Sequence, residues 1–393
     1  MLYLRWLETS HRFSKHPAIH HDGKVITFSD LATALATRPV ARSPVIARSG
    51  ETSFFVEILR AWRDGQAVIP VEKDAPEPML QRRPGPDIRL VKYTPGASGV
   101  PRGIFLTAEQ IIADADQISA TMQLTPDVPN LAVVSMAHSY GFSNLVLPLL
   151  LHGVPLVLVP VPFPRVVEEA CRPHQSIVVP AVPSMWRAWH RSGILRSTPI
   201  HLALSAGAPL ALDLEIAVHA DAGLKIHNFY GASECGGIAY DATSVPRPSG
   251  DLLGKPLHGV NLSLQADGRL LVKSAAVASA YDAPRADDLL GEGMYLTRDL
   301  CSVDENQNLY LTKTTGSAIN VAGRKVSPAK VEAAILATGL VRRGRVFGIP
   351  SSDPERFEEI AAEVELLSGF TLDQLKSTLP SQLQSWEIPR HWR

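Results

Sequence analysis

Apolar residues along the chain fall into two patterns that alternate. Short apolar runs bounded by turn residues predict buried strands at residues 24–28, 67–71, 90–93, 131–135, 156–159, 177–179, 202–205 and 225–230. Several of these runs are followed by stretches with apolar residues at helical spacing, as at residues 52–64 and 107–122. Because strands and helices alternate, we predict an α/β fold whose mainly parallel sheet is covered by helices on both faces.

The pattern changes after about Pro246. Short strands separated by turns are predicted at residues 260–265, 269–273, 301–303 and 309–312, which indicates a β-rich subdomain at about 246–312. A further βα unit begins near Asn320, and its helix is predicted to start after Ser327, with Pro328 at the first helical position. We therefore predict a large N-terminal region of layered α/β sheets, 1–312, and a small α+β C-terminal domain, 313–393.

Composition and charge exclude several classes of protein. The chain has 393 residues with 38 Lys+Arg and 39 Asp+Glu, and this balance gives no general attraction to nucleic acid. The most apolar stretch, 145–161, is interrupted by prolines and a glycine, so we predict a buried helix, a turn and a strand there instead of a membrane span. The first residues carry no apolar stretch of signal-peptide length, and Cys171, Cys235 and Cys301 are too far apart for a zinc motif. A cytoplasmic location is expected.

A glycine-rich turn at residues 93–103 lies between a predicted strand and a predicted helix. Its glycines let backbone N–H groups approach an anion, two hydroxyls add donors, and an arginine adds positive charge. The predicted phosphate contacts are Thr94, Gly96, Ser98, Gly99, Arg102 and Gly103. This is not a Walker loop, because no G-K-[ST] closes it. A purely structural turn is the alternative interpretation.

The same turn resembles the [ST]-S-G-[ST]-T-G-x-P-K-G signature of the adenylate-forming superfamily, which includes acyl- and aryl-CoA synthetases, luciferases and peptide-synthetase adenylation domains. The sequence keeps Thr94, Gly96, Gly99, Pro101 and Gly103, whereas Arg102 replaces the signature lysine. The resemblance implies the fold of those enzymes and implies that Arg102 is catalytic.

Two further segments resemble motifs of this superfamily. Residues 136–141, Met-Ala-His-Ser-Tyr-Gly, resemble P-x-x-H-x-x-G, which implies that His138, a catalytic candidate, and Ser139 lie beside the bound carboxylate. Residues 205–210, Ser-Ala-Gly-Ala-Pro-Leu, resemble G-G-A-P-L, which implies that Gly207, Ala208 and Pro209 leave room for adenine or the acid. A structural histidine and a tight strand-to-helix turn are the alternative interpretations.

Residues 228–234, Asn-Phe-Tyr-Gly-Ala-Ser-Glu, resemble N-x-Y-G-x-T-E. The resemblance implies that Tyr230 stacks on adenine, that Asn228 bonds its amino group, and that Glu234 is catalytic and holds Mg²⁺ against the phosphates. The other predicted contacts in this segment are Phe229 and Ser233 with the nucleotide, and Gly231 with both nucleotide and acid. A solvated acidic residue after a strand is the alternative for Glu234.

The remaining motifs match the superfamily less completely. Residues 295–299 resemble W-x-x-T-G-D, which implies that Asp299 accepts the ribose hydroxyls, and residues 321–332 resemble the segment that opens the small C-terminal domain. Thr314 replaces an arginine, and Gly316 replaces the hinge aspartate, so Gly316 is the predicted hinge. The sequence ends before the superfamily's P-x-x-x-x-G-K segment. We therefore expect a C-terminal domain that is truncated relative to the superfamily and slow formation of the adenylate.

The resemblance implies ATP-dependent activation of a small carboxylic acid to an acyl-AMP, with Mg²⁺ and then transfer to the thiol of CoA or of phosphopantetheine on an acyl carrier protein. A weaker resemblance to short ligases that prime aryl-polyene or polyketide pigment synthesis implies an aromatic acid of hydroxybenzoate or hydroxycinnamate type. Two alternatives remain open. One is a catalytically impaired adenylate-binding protein with a regulatory or scaffold role, and the other is a ligase-fold enzyme that forms an amide, lactone or diazo product.

Overall fold

The structure is a computed structural model that describes residues 1–94, 102–314, 319–321, 324–351, 358–379 and 383–393. The chain divides into a large unit, made of residues 1–94 and 103–312, and a second unit, made of residues 95–102 and 313–393. The glycines predicted at 96 and 99, Ser98, and the predicted hinge Gly316 lie outside the described residues.

The strands among the described residues are short, with a few longer ones late in the chain. They are β1 (Pro17–His21), β2 (Lys24–Thr27), β3 (Val45–Arg48), β4 (Val68–Val71), β5 (Ile88–Thr94), β6 (Arg102–Thr107), β7 (Asn130–Ala132), β8 (Leu156–Leu158), β9 (Ile177–Ala181), β10 (Ile200–Ser205), β11 (Ile226–Ala232), β12 (Gly236–Tyr240), β13 (Leu252–Pro256), β14 (Asn261–Leu264), β15 (Arg269–Lys273), β16 (Ala280–Tyr281), β17 (Leu290–Gly291), β18 (Met294–Val303), β19 (Leu309–Thr314), β20 (Ile319–Val321), β21 (Arg324–Val326), β22 (Val341–Pro350), β23 (Glu358–Leu366) and β24 (His391–Trp392).

The helices of the large unit lie between its strands, and two further helices follow in the second unit. They are α1 (Leu2–Arg12), α2 (Phe28–Ala36), α3 (Ser53–Arg63), α4 (Ala108–Met122), α5 (Ser139–Gly141), α6 (Leu147–His152), α7 (Pro164–Cys171), α8 (Pro183–Ser192), α9 (Leu212–Ala222), α10 (Pro328–Ala337) and α11 (Leu372–Thr378). One π-helical turn, Phe142–Val146, joins α5 to α6.

Two sheets form the framework of the large unit. Among the described residues, the larger sheet has the strand order β14-β15-β18-β19-β13-β12-β11-β10-β9-β7-β8-β1-β2, with β17 beside β18. Its middle strands β8, β7, β9, β10 and β11 are parallel to one another, whereas β11 pairs antiparallel with β12, and the pairs β12–β13 and β13–β19 are antiparallel too. The smaller sheet has the order β16-β6-β5-β4-β3. The predicted α/β fold with a β-rich subdomain is confirmed.

Local capping explains where two important helices begin. Thr27 and Thr107 each accept a hydrogen bond from the backbone N–H three residues later, and the side chain of that later residue, Asp30 or Gln110, accepts from the cap's own N–H. These reciprocal bonds satisfy N–H groups that the first helical turn leaves without partners.

Apolar burial explains the stretch predicted as helix, turn and strand at 145–161. The π-helical turn and α6 are fully packed in the core, Gly153 ends α6 at φ +77°, and β8 follows. Gly153 is required there because a Cβ would lie 2.4 Å from the ring of Phe13. No helix in the described ranges combines the length and the apolar character that a membrane crossing needs.

The second unit has its own small apolar core. The antiparallel strands β22 and β23 pair along their length, and β24 joins β23 in parallel. Helix α10 begins where predicted, since the Ser327 hydroxyl accepts from the Lys330 N–H and Pro328 occupies the first turn. Val331 and Ile335 of this helix are fully buried in that core.

Several histidines of the large unit are partly buried and carry lowered pKa values. Desolvation is the main cause in each case, and it outweighs the nearby Asp116 carboxylate at His152 and the Asp241 carbonyl at His227. The histidines whose pKa is lowered are His20, His152, His174 and His227. The folded state therefore favours their neutral forms.

Candidate active site

The predicted site residues follow the carboxyl ends of neighbouring parallel strands. β10 lies between β9 and β11, and Ser205 is in register with Ala181 on one side and Asn228 on the other. The segments that continue from these strands are therefore brought to one edge of the sheet. In open α/β sheets this edge is where ligands bind.

Glycine is required at two positions along this edge. Gly207 adopts φ +79°, in the left-handed region that favours glycine. At Gly231 a Cβ would lie 2.7 Å from the Gly236 carbonyl oxygen across the hairpin between β11 and β12. Gly207 therefore lets the backbone turn before Ala208, and Gly231 lets β11 pass close to β12.

Tyr230 and Asp299 meet although 69 residues separate them in the chain. The Tyr230 hydroxyl donates a hydrogen bond of 2.5 Å to Asp299 Oδ2. Burial first, and then the Asp299 carboxylate, raise the pKa of Tyr230 well above its usual value, so the phenol remains a donor near neutral pH. The sequence prediction placed both residues at the nucleotide, and the structure places them in direct contact.

The other aromatic and amide groups of this segment pack inward. Phe229 lies 6.1 Å from the ring of Tyr140, measured between ring centroids. Asn228 is buried, and its amide Nδ2 donates to the Leu253 carbonyl at 3.2 Å. The predicted contact of Asn228 with the adenine amino group stays a prediction, and it would involve the side-chain oxygen, because the amino group donates and Nδ2 cannot accept.

His138 lies beside a carboxylate that the sequence did not reveal. Its Nε2 is 3.4 Å from Glu72 Oε1, and the His138 side chain is 70% exposed. Glu72 directly follows β4, and it also accepts hydrogen bonds from the hydroxyls of Ser49, at 2.8 Å, and Ser135. The imidazole is thus open to solvent on one side and held near a fixed negative charge on the other.

A hydroxyl pair joins the His138 segment to the Glu234 segment. Ser139 donates a hydrogen bond of 2.8 Å to Ser233, across 94 positions of sequence. Gly141 allows the same segment to fold back on itself, since a Cβ there would lie 2.1 Å from the Ser135 carbonyl oxygen. Two motifs that the sequence related only by their order are therefore in contact.

Glu234 is nearly buried, and hydrogen bonds hold both its side chain and its backbone carbonyl. Its Oε1 accepts from the Tyr281 hydroxyl at 2.8 Å, and its carbonyl accepts from the Ala278 N–H at 2.8 Å. No cluster of three or more His, Cys, Asp or Glu side chains that could hold a metal occurs in the described part of the chain. A single carboxylate fits Mg²⁺, which is commonly held by one or two carboxylates plus substrate phosphates.

The strand after the glycine-rich turn is tied down at Gly103. The Gly103 N–H donates to Asp282 Oδ1 at 2.9 Å, and the Asp282 N–H donates to the Gly103 carbonyl at 2.8 Å. Arg102 opens the same strand, β6, and Thr94 closes β5, so the described residues place both ends of the predicted phosphate turn on adjacent strands of the smaller sheet.

Sequence reasoning missed Glu72, Tyr281 and Asp282. Each follows or ends a short strand, and acidic or aromatic residues at such positions are usually structural. Their partners, His138, Glu234 and Gly103, lie between 47 and 179 residues away. Only the pairing of elements brings them together, so no local spacing could have identified them.

Residues 25–281 match the family model described as AMP-binding enzyme. The chain belongs to the AMP-binding enzyme family. It is 23% identical over 327 residues to a long-chain-fatty-acid–CoA ligase of Bacillus subtilis, covering 78% of this chain, and 26% identical over 326 residues to a feruloyl-CoA synthase of Amycolatopsis, covering 77%.

The chain spans only 58% and 65% of the lengths of these two relatives. A solved structure of a double mutant of o-succinylbenzoate CoA synthetase from Bacillus subtilis, bound with its product analogue, aligns with 99% of this chain and 94% of its own. The TM-score is 0.76 at 17% sequence identity. This likeness confirms the fold expected from the resemblance.

Proposed function

We propose that the chain activates a carboxylic acid with ATP, forming an acyl-AMP that then reacts with the thiol of CoA. The observation that supports this most directly is that Ser139, next to His138, contacts Ser233, and that Tyr230 contacts Asp299, which brings the three predicted segments together. Membership of the AMP-binding enzyme family and similarity to CoA ligases support the same chemistry.

In the first step, a carboxylate oxygen attacks the α-phosphorus of ATP, an O–P bond forms, and pyrophosphate leaves. Asp299 would accept the ribose hydroxyls while Tyr230 holds one of its oxygens, so the carboxylate keeps one orientation. Mg²⁺, held by Glu234, would neutralise charge on the phosphates. Most of the rate gain would come from positioning and charge neutralisation.

In the second step, the thiol sulfur attacks the acyl carbon, a C–S bond forms, and AMP leaves with the C–O bonding electrons. His138 is proposed to lie at the carboxylate end of the acid, where its exposed ring can donate a hydrogen bond to the reacting oxygen. The thiol proton leaves to solvent or to a base. CoA is the proposed acceptor, and phosphopantetheine on a carrier protein is the alternative acceptor.

The proposed acid is aromatic, of the hydroxybenzoate or hydroxycinnamate type. A feruloyl-CoA synthase among the relatives supports this choice, whereas a long-chain-fatty-acid–CoA ligase among them supports a fatty acid. The two classes differ in shape and in length, so a substrate panel separates them.

The test is pyrophosphate release with Mg·ATP and a panel of benzoic, cinnamic and fatty acids, followed by identification of the thioester with CoA or a loaded carrier protein. We expect release with at least one aryl acid, and loss of release in Glu234→Gln. No release with any acid, combined with tight binding of a non-hydrolysable acyl-adenylate analogue, would instead favour an adenylate-binding protein, to which the replacement of an arginine by Thr314 also points.

A further inference from the structure

A buried ion pair contacts the turn that follows Glu234, the proposed metal ligand. The pair has no part in the chemistry proposed above. Lys92 and Asp114 are 2% and 1% exposed, and Lys92 Nζ lies 3.7 Å from Asp114 Oδ2. Ser143, also buried, accepts from Lys92 Nζ at 3.1 Å and donates to Asp114 Oδ2 at 2.5 Å. These three residues form what we call the Lys92 cluster.

Burial of such a pair does not by itself stabilise a fold. Removing two charges from water costs several kcal/mol, and apolar side chains of similar volume often replace a buried pair without loss of stability. The Lys92 cluster therefore needs an explanation other than stability, and the segments that it joins provide one.

Each member of the cluster lies on, follows or faces a segment that carries a predicted site residue. Lys92 is in β5, two residues before Thr94, and Ser143 is in the π-helical turn that follows the His138 segment. Asp114, on α4, faces the turn after Glu234. One cluster thus joins the strand that enters the phosphate turn, the segment beside the acid and the turn that bears the metal ligand.

The contact between Asp114 and the Glu234 turn is close. Asp114 Oδ1 accepts from the Gly237 N–H at 3.4 Å, and at Gly236 a Cβ would lie 2.0 Å from the same oxygen. Gly236 also adopts φ +70°, which disfavours any side chain there. The turn therefore rests directly on the Asp114 carboxylate, and it has no room to move toward α4.

We propose that the Lys92 cluster is a positioning element that fixes the backbone turn after Glu234, and thereby aims the Glu234 carboxylate at the metal that accompanies ATP. This inference rests on the proposed function, because it takes Glu234 as the metal ligand. Groups that orient a metal ligand typically change metal affinity or activity about 10- to 100-fold when they are removed.

A second buried ion cluster supplies a matched control. Lys225 is 8% exposed, contacts Glu215, and lies 2.6 Å from Asp241 Oδ2. It resembles Lys92 in burial and in charge, yet none of its contacts is with Glu234, Gly236 or Gly237. Lys225→Met should therefore lower stability as a buried-charge substitution does, with no specific effect on metal use.

The measurement is the metal increment, defined as the Kd of ATP without Mg²⁺ divided by the Kd with saturating Mg²⁺, obtained by titration calorimetry alongside the thermal midpoint. It needs no knowledge of the acid. We expect Asp114→Ala to lower the metal increment about tenfold and to lower the midpoint. Ser143→Ala, the milder variant, should lower both in the same direction by less.

The double variant Lys92→Met/Asp114→Ala separates positioning from folding. It removes the charge that Asp114→Ala leaves unpaired, so the midpoint should recover while the metal increment stays low. Recovery of both, or an equal fall of the metal increment in Lys225→Met, would overturn the inference and make the cluster purely structural.

Two further outcomes distinguish this inference from the proposed function. A wild-type chain with no metal increment would overturn both together. A wild-type increment that is lost in Glu234→Gln but kept in Asp114→Ala would preserve the proposed function and overturn the positioning role alone.

Discussion

The predicted ribose contact of Asp299 allows the side chain and the nucleotide to be varied together. Asp299 lies in β18, and its Oδ2 already accepts from the Tyr230 hydroxyl at 2.5 Å. Its N–H donates to the Thr297 hydroxyl at 3.2 Å, which fixes the backbone at this position. The carboxylate is therefore held in one orientation before any nucleotide binds.

The expected magnitude follows from the charge of the acceptor. Hydrogen bonds to an ionised group contribute about 1.5–3 kcal/mol, which corresponds to a change in Kd of roughly 10- to 150-fold. Asp299→Ala should weaken ATP binding by an amount in this range. It should weaken binding of 2′,3′-dideoxy-ATP much less, because that nucleotide has no ribose hydroxyls to donate.

The assay is titration calorimetry of both nucleotides with the wild type, Asp299→Ala and two comparison variants. Tyr230→Phe keeps the ring and removes the hydroxyl that orients Asp299, so it should weaken ATP binding by less than Asp299→Ala does and should change dideoxy-ATP binding little. Asp267→Ala removes an exposed carboxylate that pairs with Arg269, and it should affect neither. Equal losses for ATP and dideoxy-ATP in Asp299→Ala would refute the ribose contact.

Three further predictions concern other parts of the large unit. His138→Ala should raise the KM for the acid about tenfold or more, as expected for a lost hydrogen bond to a carboxylate. Steady-state kinetics should show an unchanged KM for Mg·ATP. A change in the KM for Mg·ATP alone would contradict the assignment. Gly141→Ala should lower the free energy of unfolding by about 1–3 kcal/mol or more, since its Cβ would meet a backbone oxygen. Gly85→Ala should leave the free energy of unfolding unchanged, because nothing lies within 4 Å of a Cβ there. Chemical denaturation compares the two variants. The free energy of unfolding should rise with pH between about 5 and 7, because histidines with lowered pKa bind fewer protons when folded than when unfolded. His174→Gln should flatten that rise. A free energy of unfolding that falls with pH in this range would contradict the reasoning.

Local patterns predicted the strands and helices well where they were long or buried. The stretch at 145–161 contains helix, turn and strand as expected, and the helix after Ser327 begins at Pro328. Helix α1 was missed, because its buried face is limited to Leu2, Trp6 and two small polar residues, while Leu4 and Leu7 are exposed. The strand predicted at 301–303 is the end of the longer β18. Its earlier part was missed, because those residues lack a clear alternation of apolar and polar side chains.

The chemical candidates were identified by motif, whereas their neighbours could not be. Tyr230 and Glu234 are four positions apart in one segment, so their spacing identifies them. Their partners, Asp299 and Tyr281, come from strands whose pairing is set by the whole sheet.

The contacts of the site residues join the two sheets of the large unit. The smaller sheet supplies Lys92 and Tyr281, and Glu72 follows its strand β4. The larger sheet supplies Glu234, and His138 lies in the segment between its strands β7 and β8. Tyr281 bonds Glu234, and Glu72 faces His138, so the two sheets meet through polar contacts at the residues proposed to bind metal and acid. A substitution of an apolar residue between the two sheets would mainly lower stability. A substitution in these polar contacts should change metal or acid binding even when the stability is the same.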